Sequence, residues 1–469
     1  MSELPKGWVK ITLGEIANWT SGGTPSRANK SYYSGDIPWV KTGDLGSRYL
    51  NKVNEFITKD GLKNSSAKLC SKGSIGLAMY GATIGKVSIF NMDVATNQAC
   101  AVATPKGGIS SEFIYFMLSN EKEAFIAKGK GGAQPNISQT LIKSHEILLP
   151  PLNEQIRIAN KLDALLAKVD AAQVRLDKIP TLLKRFRQAV LAAATSGELT
   201  KEWRENNILV DTTLDGFELP LTWSLLTFDD IGAVKGGKRL PKGEELLENN
   251  TGFPYIRAGQ LKNGTVINLD TARNRQLFLK PHVQEQIKRY TVFEGDVYIT
   301  IVGASIGDAG VIPSSSNGAN LTENAAKICE FTKPIDSKFV SYWLRSELLQ
   351  GMIKLEIKSG AQGKLALKRI KTLPIPYPPM EEQVEIVRRV ESLFTLADSV
   401  EKQYNAIRKN TNRLTQSLLA KAFRGELVPQ DPNDEPAEKL LAKIAAAREA
   451  SLVSKSKAAK ITKKLRSKL

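Results

Sequence analysis

The sequence predicts an α+β protein built as an internal pseudo-two-fold repeat, in which two globular domains alternate with two long helical segments that pack on each other. Three observations predict it. Residues 150–199 and 378–427 align without a gap at a constant shift of 228 positions (378 − 150). Each copy opens with two prolines and a Glu-Gln, as Pro150, Pro151, Glu154, Gln155 and Pro378, Pro379, Glu382, Gln383, and each closes with Gly-Glu-Leu, at Gly197–Leu199 and Gly425–Leu427. Between those ends apolar residues recur at steps of three and four, as Ile158, Leu162, Leu165, Val169, Ala172, Leu176, Ile179 and as Ile386, Val390, Leu393, Ala397, Val400, Tyr404, Ile407, which is the pattern of a coiled-coil seam. The segments before each copy also answer one another, but with an offset drifting from 215 to 228.

Taken in order, residues 1–149 form the first globular domain. After Leu4-Pro5-Lys6-Gly7-Trp8 come strands at Val9–Leu13, Ile37–Lys41, Ile75–Met79 and Lys86–Phe90 between glycine turns, then a helix over Ser111–Ala127. Residues 150–203 are the central helical repeat. Pro150-Pro151 presets the helix start and Glu154 faces the positive end of its dipole. Proline cannot sit inside a helix without losing a hydrogen bond, so Pro180 divides the repeat into one helix to about Lys178 and a second to Thr195. Arg408 stands at that place in the other copy, which predicts a straighter helix.

A polar linker, 204–218, leads to the second globular domain, 219–377. There Leu219-Pro220 and Trp223 answer Leu4-Pro5 and Trp8, and Phe253–Arg257 answers Ile37–Lys41. Gly303–Gly307 answers Gly81–Gly85, and Gly360-Ala361-Gln362 answers Gly132-Ala133-Gln134. The distal repeat covers 378–428. Residues 429–469 begin Pro/Asp/Asn-rich, continue as a short charged helix over Ala437–Ala450 and end in a lysine tail expected to be disordered.

The net charge of +18 includes 7 from the last fifteen residues, which hold no acid. A basic body with a basic tail favours a polyanionic partner, nucleic acid before membrane. Cys70, Cys100 and Cys329 form no CxxC pair, which indicates a reducing compartment and no structural zinc. A polar N-terminus and no membrane-length apolar run predict a cytoplasmic protein.

The inventory argues against catalysis. Only His145 and His282 exist, and His145 has no Cys or Ser motif near it, so a surface or satisfied core role is expected. Gly81–Lys86 is one residue short of a phosphate loop and lacks the following Ser or Thr, while its counterpart ends Gly307-Asp308, so both read as structural turns. Asp431-Pro432-Asn433-Asp434 lacks the second proline and the aromatic of an amino-methyltransferase motor and reads as a linker. Binding is better supported. The loops near the glycine turns carry Arg27, Lys30, Tyr32, Lys41 and Thr42 in the first half and Lys238, Arg239, Arg257 and Gln260 in the second. The Gly-Ala-Gln elements add Lys130, Gln134, Asn136, Lys358, Gln362 and Lys364. Arg, Lys, Asn and Gln read base edges, and the cations neutralise phosphates. A paired-domain scaffold that only joins proteins is the competing reading.

This arrangement, with Leu183–Leu191 and Gln416–Leu427 as its most specific phrases, resembles the specificity subunits of type I restriction-modification systems, close to the enterobacterial family IA members, over nearly the whole chain. The resemblance implies that the globular domains are target recognition domains, each reading half of an asymmetric, two-part duplex DNA site. It implies that the helices form an antiparallel spacer and dock two modification subunits, adenine N6 methyltransferases. Two ATP-driven restriction subunits complete the complex. No cofactor is then expected in this chain, and S-adenosylmethionine, ATP and Mg2+ act through the partners.

Overall fold

Short β-branched strands separated by positive-φ glycines give each globular region its sheets, and one or two helices close each core. The structure, a computed structural model, describes residues 4–129, 135–205, 208–211, 216–272, 274–359, 363–447 and 449–450, and the basic tail lies outside them. The chain divides into two compact units, one of residues 1–176 with 406–469 and one of 177–405. Each unit therefore holds one globular region with parts of both helical repeats.

In the first unit, strands Ala17–Ser21, Cys100–Pro105, Ile75–Ala78, Val87–Phe90 and Tyr49–Leu50 lie side by side in one sheet. A second sheet holds Glu55–Ile57, Tyr33–Val40, Val94–Thr96 and Leu69–Cys70. The second unit repeats the plan in a shorter form: Ala233–Gly236, Ala325–Cys329, Val297–Thr300 and Ala309–Val311 form one antiparallel sheet. The parallel pairing of Trp39 with Ala95 returns there as Tyr255 with Asn320. Same-order elements in the same register show that the two halves share one frame. The predicted helix over 111–127 is interrupted at Glu121, giving Ser111–Asn120 and Lys122–Lys128, and the Glu121 side chain bonds His145 at the break.

The central repeat forms α1, Leu152–Leu176, and α2, Ile179–Thr195, separated as the proline requires; the distal repeat is one helix, α3, Met380–Phe423. Ile158, Ala159 and Leu162 at the start of α1 share a core with Leu419, Ala422 and Phe423 at the end of α3. Val190, Leu191 and Ala194 at the end of α2 share another with Ile386, Val387 and Val390 at the start of α3. Farther along, Arg187 bridges to Asp398 at 2.6 Å and Glu401 at 2.8 Å, so α2 and α3 run antiparallel within the second unit. The seam expected from the sequence is thus buried at its helix starts and, through Tyr404, against α2. Leu165, Val169, Leu176, Ile179 and Leu393 are half-buried. Ala172, Val400 and Ile407 correct the prediction: all three are exposed, Val400 and Ile407 by 38% and 50%, because the partners of the helix starts are the Leu- and Ala-rich ends of the other repeat rather than its middle.

The recurring motifs explain themselves as a clamp. The Glu154 carboxylate is buried and accepts the Trp8 indole N–H at 3.0 Å; Glu382 accepts that of Trp223 at 2.8 Å. Gln155 and Gln383 donate back to the carbonyls of Pro150 and Pro378 at 2.8 and 2.9 Å. Gly425 and Gly197, at φ +78° and +81°, sit so close to Pro5 and Pro220 that a Cβ would fall 2.8 and 2.4 Å from a proline ring carbon. Glu154 lies in the first turn of α1, as expected of an acid facing the dipole, and has a tertiary role besides. The two clamps differ: Glu382 also accepts from Thr200 Oγ1 at 2.7 Å and from the buried Arg204 guanidinium at 2.5 Å. By the 228 shift, Val428 and Pro432 stand where those two residues would be in the first unit. Glu154 Oε1 has no hydrogen-bond partner there, and burial pushes its carboxyl up, against the Trp8 bond that lowers it.

The segment after α3 is pinned in the first unit. Arg157 donates to Asp434 at 2.6 and 3.3 Å, and residues 437–447 are helical, with Ala437 and Leu440 joining the core. Among the described residues no helix is long and apolar enough to cross a membrane. The three cysteines are unpaired and buried.

Candidate nucleic-acid interface

Strand Ala17–Ser21 runs into Gly22, where a Cβ would fall 1.9 Å from the Thr96 carbonyl oxygen; at Gly237 it would fall 2.0 Å from that of Thr322. Only glycine lets the chain cross another backbone this closely. The crossing places a polar loop beside the parallel strand pair in both units. In the first, Asn29 caps a short 3-10 turn over Lys30–Tyr32 by accepting the Ser31 N–H at 3.1 Å. Arg27 lies over the rings of Tyr33 and Trp39, 4.4 and 5.2 Å from their centroids, and donates to Glu55 Oε2 at 2.7 Å. Lys41 pairs with the other oxygen of Glu55. The Lys41 bond, and after it that of Arg27, holds the Glu55 carboxyl below the usual range. Lys30 and Asn136 are exposed, and Tyr32 and Thr42 half-buried.

The second unit answers with Arg239, which pairs with Glu323 at 2.8 Å, and Lys238, which lies 5.9 Å from the Tyr290 ring centroid. Both are exposed, as is Lys364. Arg257 and Gln260 require correction. Gln260 is 0% exposed, accepts the Arg257 N–H at 2.9 Å and donates to Asn268 at 2.6 Å. In the first unit Asp44 takes the same part, accepting the Lys41 N–H at 2.9 Å, so the position serves a turn and not a base edge. The Arg257 guanidinium donates to the carbonyls of Ala272 and Arg275 at 3.1 and 2.7 Å and holds a loop closed. Burial, with Arg275 nearby, lowers its pKa.

Lys130, Gln134, Gln362 and the side chain of Lys358 lie outside the described residues. The chain just after each Gly-Ala-Gln is fixed to the recurring glycine turn, Ile137 N–H to the Met79 carbonyl at 2.9 Å and Leu365 N–H to that of Ile301 at 3.0 Å. In the turn Gly81–Lys86 the glycine at 85, with φ +79°, makes room for a helix side chain, since a Cβ there would meet Lys122 Cγ at 2.6 Å. His145 is a satisfied core residue, between Glu121 Oε2 at 2.9 Å and Lys128 Nζ at 2.8 Å. Sequence reading passed over Glu55 and Glu323. Neither lies in a recurring motif, and only their adjacency in space to the loop cations marks them.

Large apolar side chains stay exposed on the helices at matching places. Ile156 and Val384 are one such pair and Phe186 and Leu414 another, each separated by 228 positions.

The family model for the type I restriction modification DNA specificity domain matches residues 5–181 and 220–409. The chain is 34% identical to the type I restriction enzyme EcoBI specificity subunit of Escherichia coli, an alignment covering 95% of this chain and 93% of that one. It is 30% identical to the EcoKI specificity subunit of Escherichia coli strain K12, covering 96% and 97%. Its fold matches the HsdS subunit of Thermoanaerobacter tengcongensis with a TM-score of 0.57 at 20% identity, over 90% of this chain and 98% of that one. A chain of a type I R-M system, from a structure concerned with complex assembly and conformational transition, matches with a TM-score of 0.65 at 18% identity, over 91% and 100%. With a repeated helical segment, two globular regions of one frame and relatives that match over more than nine-tenths of its length, this chain belongs to the specificity subunits of type I restriction-modification enzymes.

Proposed function

We propose that each globular unit reads one half of an asymmetric, bipartite duplex DNA site, and that the helices set the spacing and dock two modification subunits and, with them, two restriction subunits. The observation that carries this reading is one frame with two different faces: after the same glycine crossing the loops carry Arg27 in one unit and Lys238 and Arg239 in the other, and different elements bring Glu55, with Lys41, and Glu323 against them. Equal frames with unequal side chains suit a target whose halves differ. In this reading the chain itself is not catalytic. Adenine N6 methylation with S-adenosylmethionine, and ATP- and Mg2+-dependent translocation and cleavage, belong to the partner subunits.

Mapping methylated adenines in cells that express the chain with its partners is the direct test. The expected result is a two-part sequence with a fixed gap, of which exchanging residues 1–149 for a relative's changes one half. Arg239→Ala should weaken binding in one of two measurable ways. A phosphate contact lowers the salt slope by about one, whereas a base contact costs ~1–3 kcal/mol and relaxes one position. Affinity that does not respond to salt would favour the protein scaffold instead.

The exposed apolar pairs support two equal docking places for one kind of partner, because the same feature recurs at the repeat distance. Ile156→Asp or Val384→Asp alone should leave one modification subunit bound, and the double variant none. Melting should move little, since exposed substitutions stay within about 0.5 kcal/mol. Undiminished binding of both copies by the double variant would remove these residues from the docking surface.

A further inference from the structure

We infer that Glu55 and Glu323 are specificity-determining residues that suppress sequence-independent DNA binding by occupying the loop cations, an inference that rests on the DNA-reading function proposed above. Glu55 holds two of them at once, Arg27 at 2.7 Å and Lys41, and Glu323 holds Arg239 at 2.8 Å. The carboxylates come from different places in the frame. Glu55 opens the strand paired with Tyr33–Val40, and Glu323 sits in the turn between Asn320–Leu321 and Ala325–Cys329. Two unrelated placements converge on one arrangement, a carboxylate against the long cation of the loop that follows the glycine crossing.

The pairs add little to the fold. Ion pairs this open to solvent are weak, with side chains 56% and 29% exposed for Arg27 and Glu55 and 79% and 30% for Arg239 and Glu323. Their effect is on the electrostatics of encounter. A cation that meets a phosphate must first leave its carboxylate, and the freed carboxylate then repels the backbone, so DNA without the target gains almost nothing from these residues. A base edge that presents an exocyclic amino group, cytosine N4 or adenine N6, gives the carboxylate a donor in exchange. Only then are cation and anion both satisfied. Arg27 is kept ready for this by the Tyr33 and Trp39 rings, which hold the guanidinium in place when it exchanges partners.

Glu55→Gln and Glu323→Gln separate this from a merely structural role, because they are expected to raise one affinity while lowering discrimination. The assembled complex is titrated with a short duplex carrying the mapped target and with one lacking it, at several salt concentrations. Glu55→Gln should bind the siteless duplex on the order of three- to tenfold more tightly at low salt, with a salt slope steeper by about one to two as two phosphates are engaged. Glu323→Gln should steepen it by about one. The ratio of target to siteless affinity should fall in both. Siteless affinity that is unchanged or weaker in both variants overturns the inference, and since the glutamates lie in different units, misfolding of one variant leaves the other as the test. Wild-type complex that binds neither duplex in a salt-dependent way would instead refute the proposed function, a distinct result.

Discussion

Glu382→Gln is expected to destabilise the second unit by about 3–5 kcal/mol, whereas Glu154→Gln, the same change in the equivalent clamp, should be neutral or stabilising at neutral pH. The asymmetry follows from what each carboxylate faces. Glutamine at 382 can still accept the Trp223 indole N–H, but it leaves the buried Arg204 without its bonded carboxylate, with Thr200 Oγ1 at 3.1 Å, the Trp223 ring and the more distant charge of exposed Glu202 as partners. At 154 no cation is bonded to the carboxylate: Arg157, whose charge favours the ionised form, is held by Asp434, Glu154 Oε1 has no hydrogen-bond partner, and glutamine keeps the Trp8 bond without the cost of burying a charge. The pH dependence has a definite sign. Burial raises the Glu154 carboxyl above its ordinary value of 4.5 in the folded chain. Stability from this group is therefore full below that value and lost as pH rises through the higher folded value. Denaturant unfolding of wild type and Glu154→Gln at pH values rising from 4.5 measures this as a difference, because carboxylates held low in the same unit, such as Glu121 and Asp434, act in the opposite sense: Glu154→Gln should gain on wild type as pH rises. Equal destabilisation by the two variants would show that Arg204 does not distinguish the clamps.

The frame was legible in the sequence because its determinants repeat. Pro-Pro-x-x-Glu-Gln, Gly-Glu-Leu and Leu-Pro-x-x-Trp each occur twice, and they prove to be parts of one device, the glutamate under the tryptophan and the glycine under the proline. Repetition marked them as structural without revealing that they touch. Pro180 placed the break between α1 and α2 by a backbone rule that needs no tertiary information. The site was less legible for the same reason. A glutamine beside an arginine reads alike on a turn cap and on a base-reading loop, and only burial told Gln260 apart. Glu55 acquires meaning from two cations far from it in sequence, Arg27 and Lys41, and periodicity carries no information about such a meeting. The seam was half legible, because three-four spacing identifies an apolar face but not which stretch of the other helix covers it.

That last distinction carries the second large effect. Leu162→Ala and Ile386→Ala should each cost ~2–5 kcal/mol, because both residues are fully enclosed and the space they leave cannot collapse without moving a helix end. Leu162 shares its core with Ala422, Phe423 and Ile158, and Ile386 with Val190, Leu191 and Ala194, so each deletion also loosens the nearby clamp, about two turns from Leu162 at Glu154 and one turn from Ile386 at Glu382. Val400→Ala and Ile407→Ala lie on the same apolar stripe yet should stay within about 0.5 kcal/mol, since solvent already reaches them. If the stripe were a uniform seam within the chain, all four changes would cost similar amounts. A large loss at Leu162 and Ile386 with silence at Val400 and Ile407 would mean that the heptad pattern outruns its own internal packing. Reduced modification-subunit affinity in Ile407→Asp, with melting unchanged, is the result that separates a covered surface from an idle one.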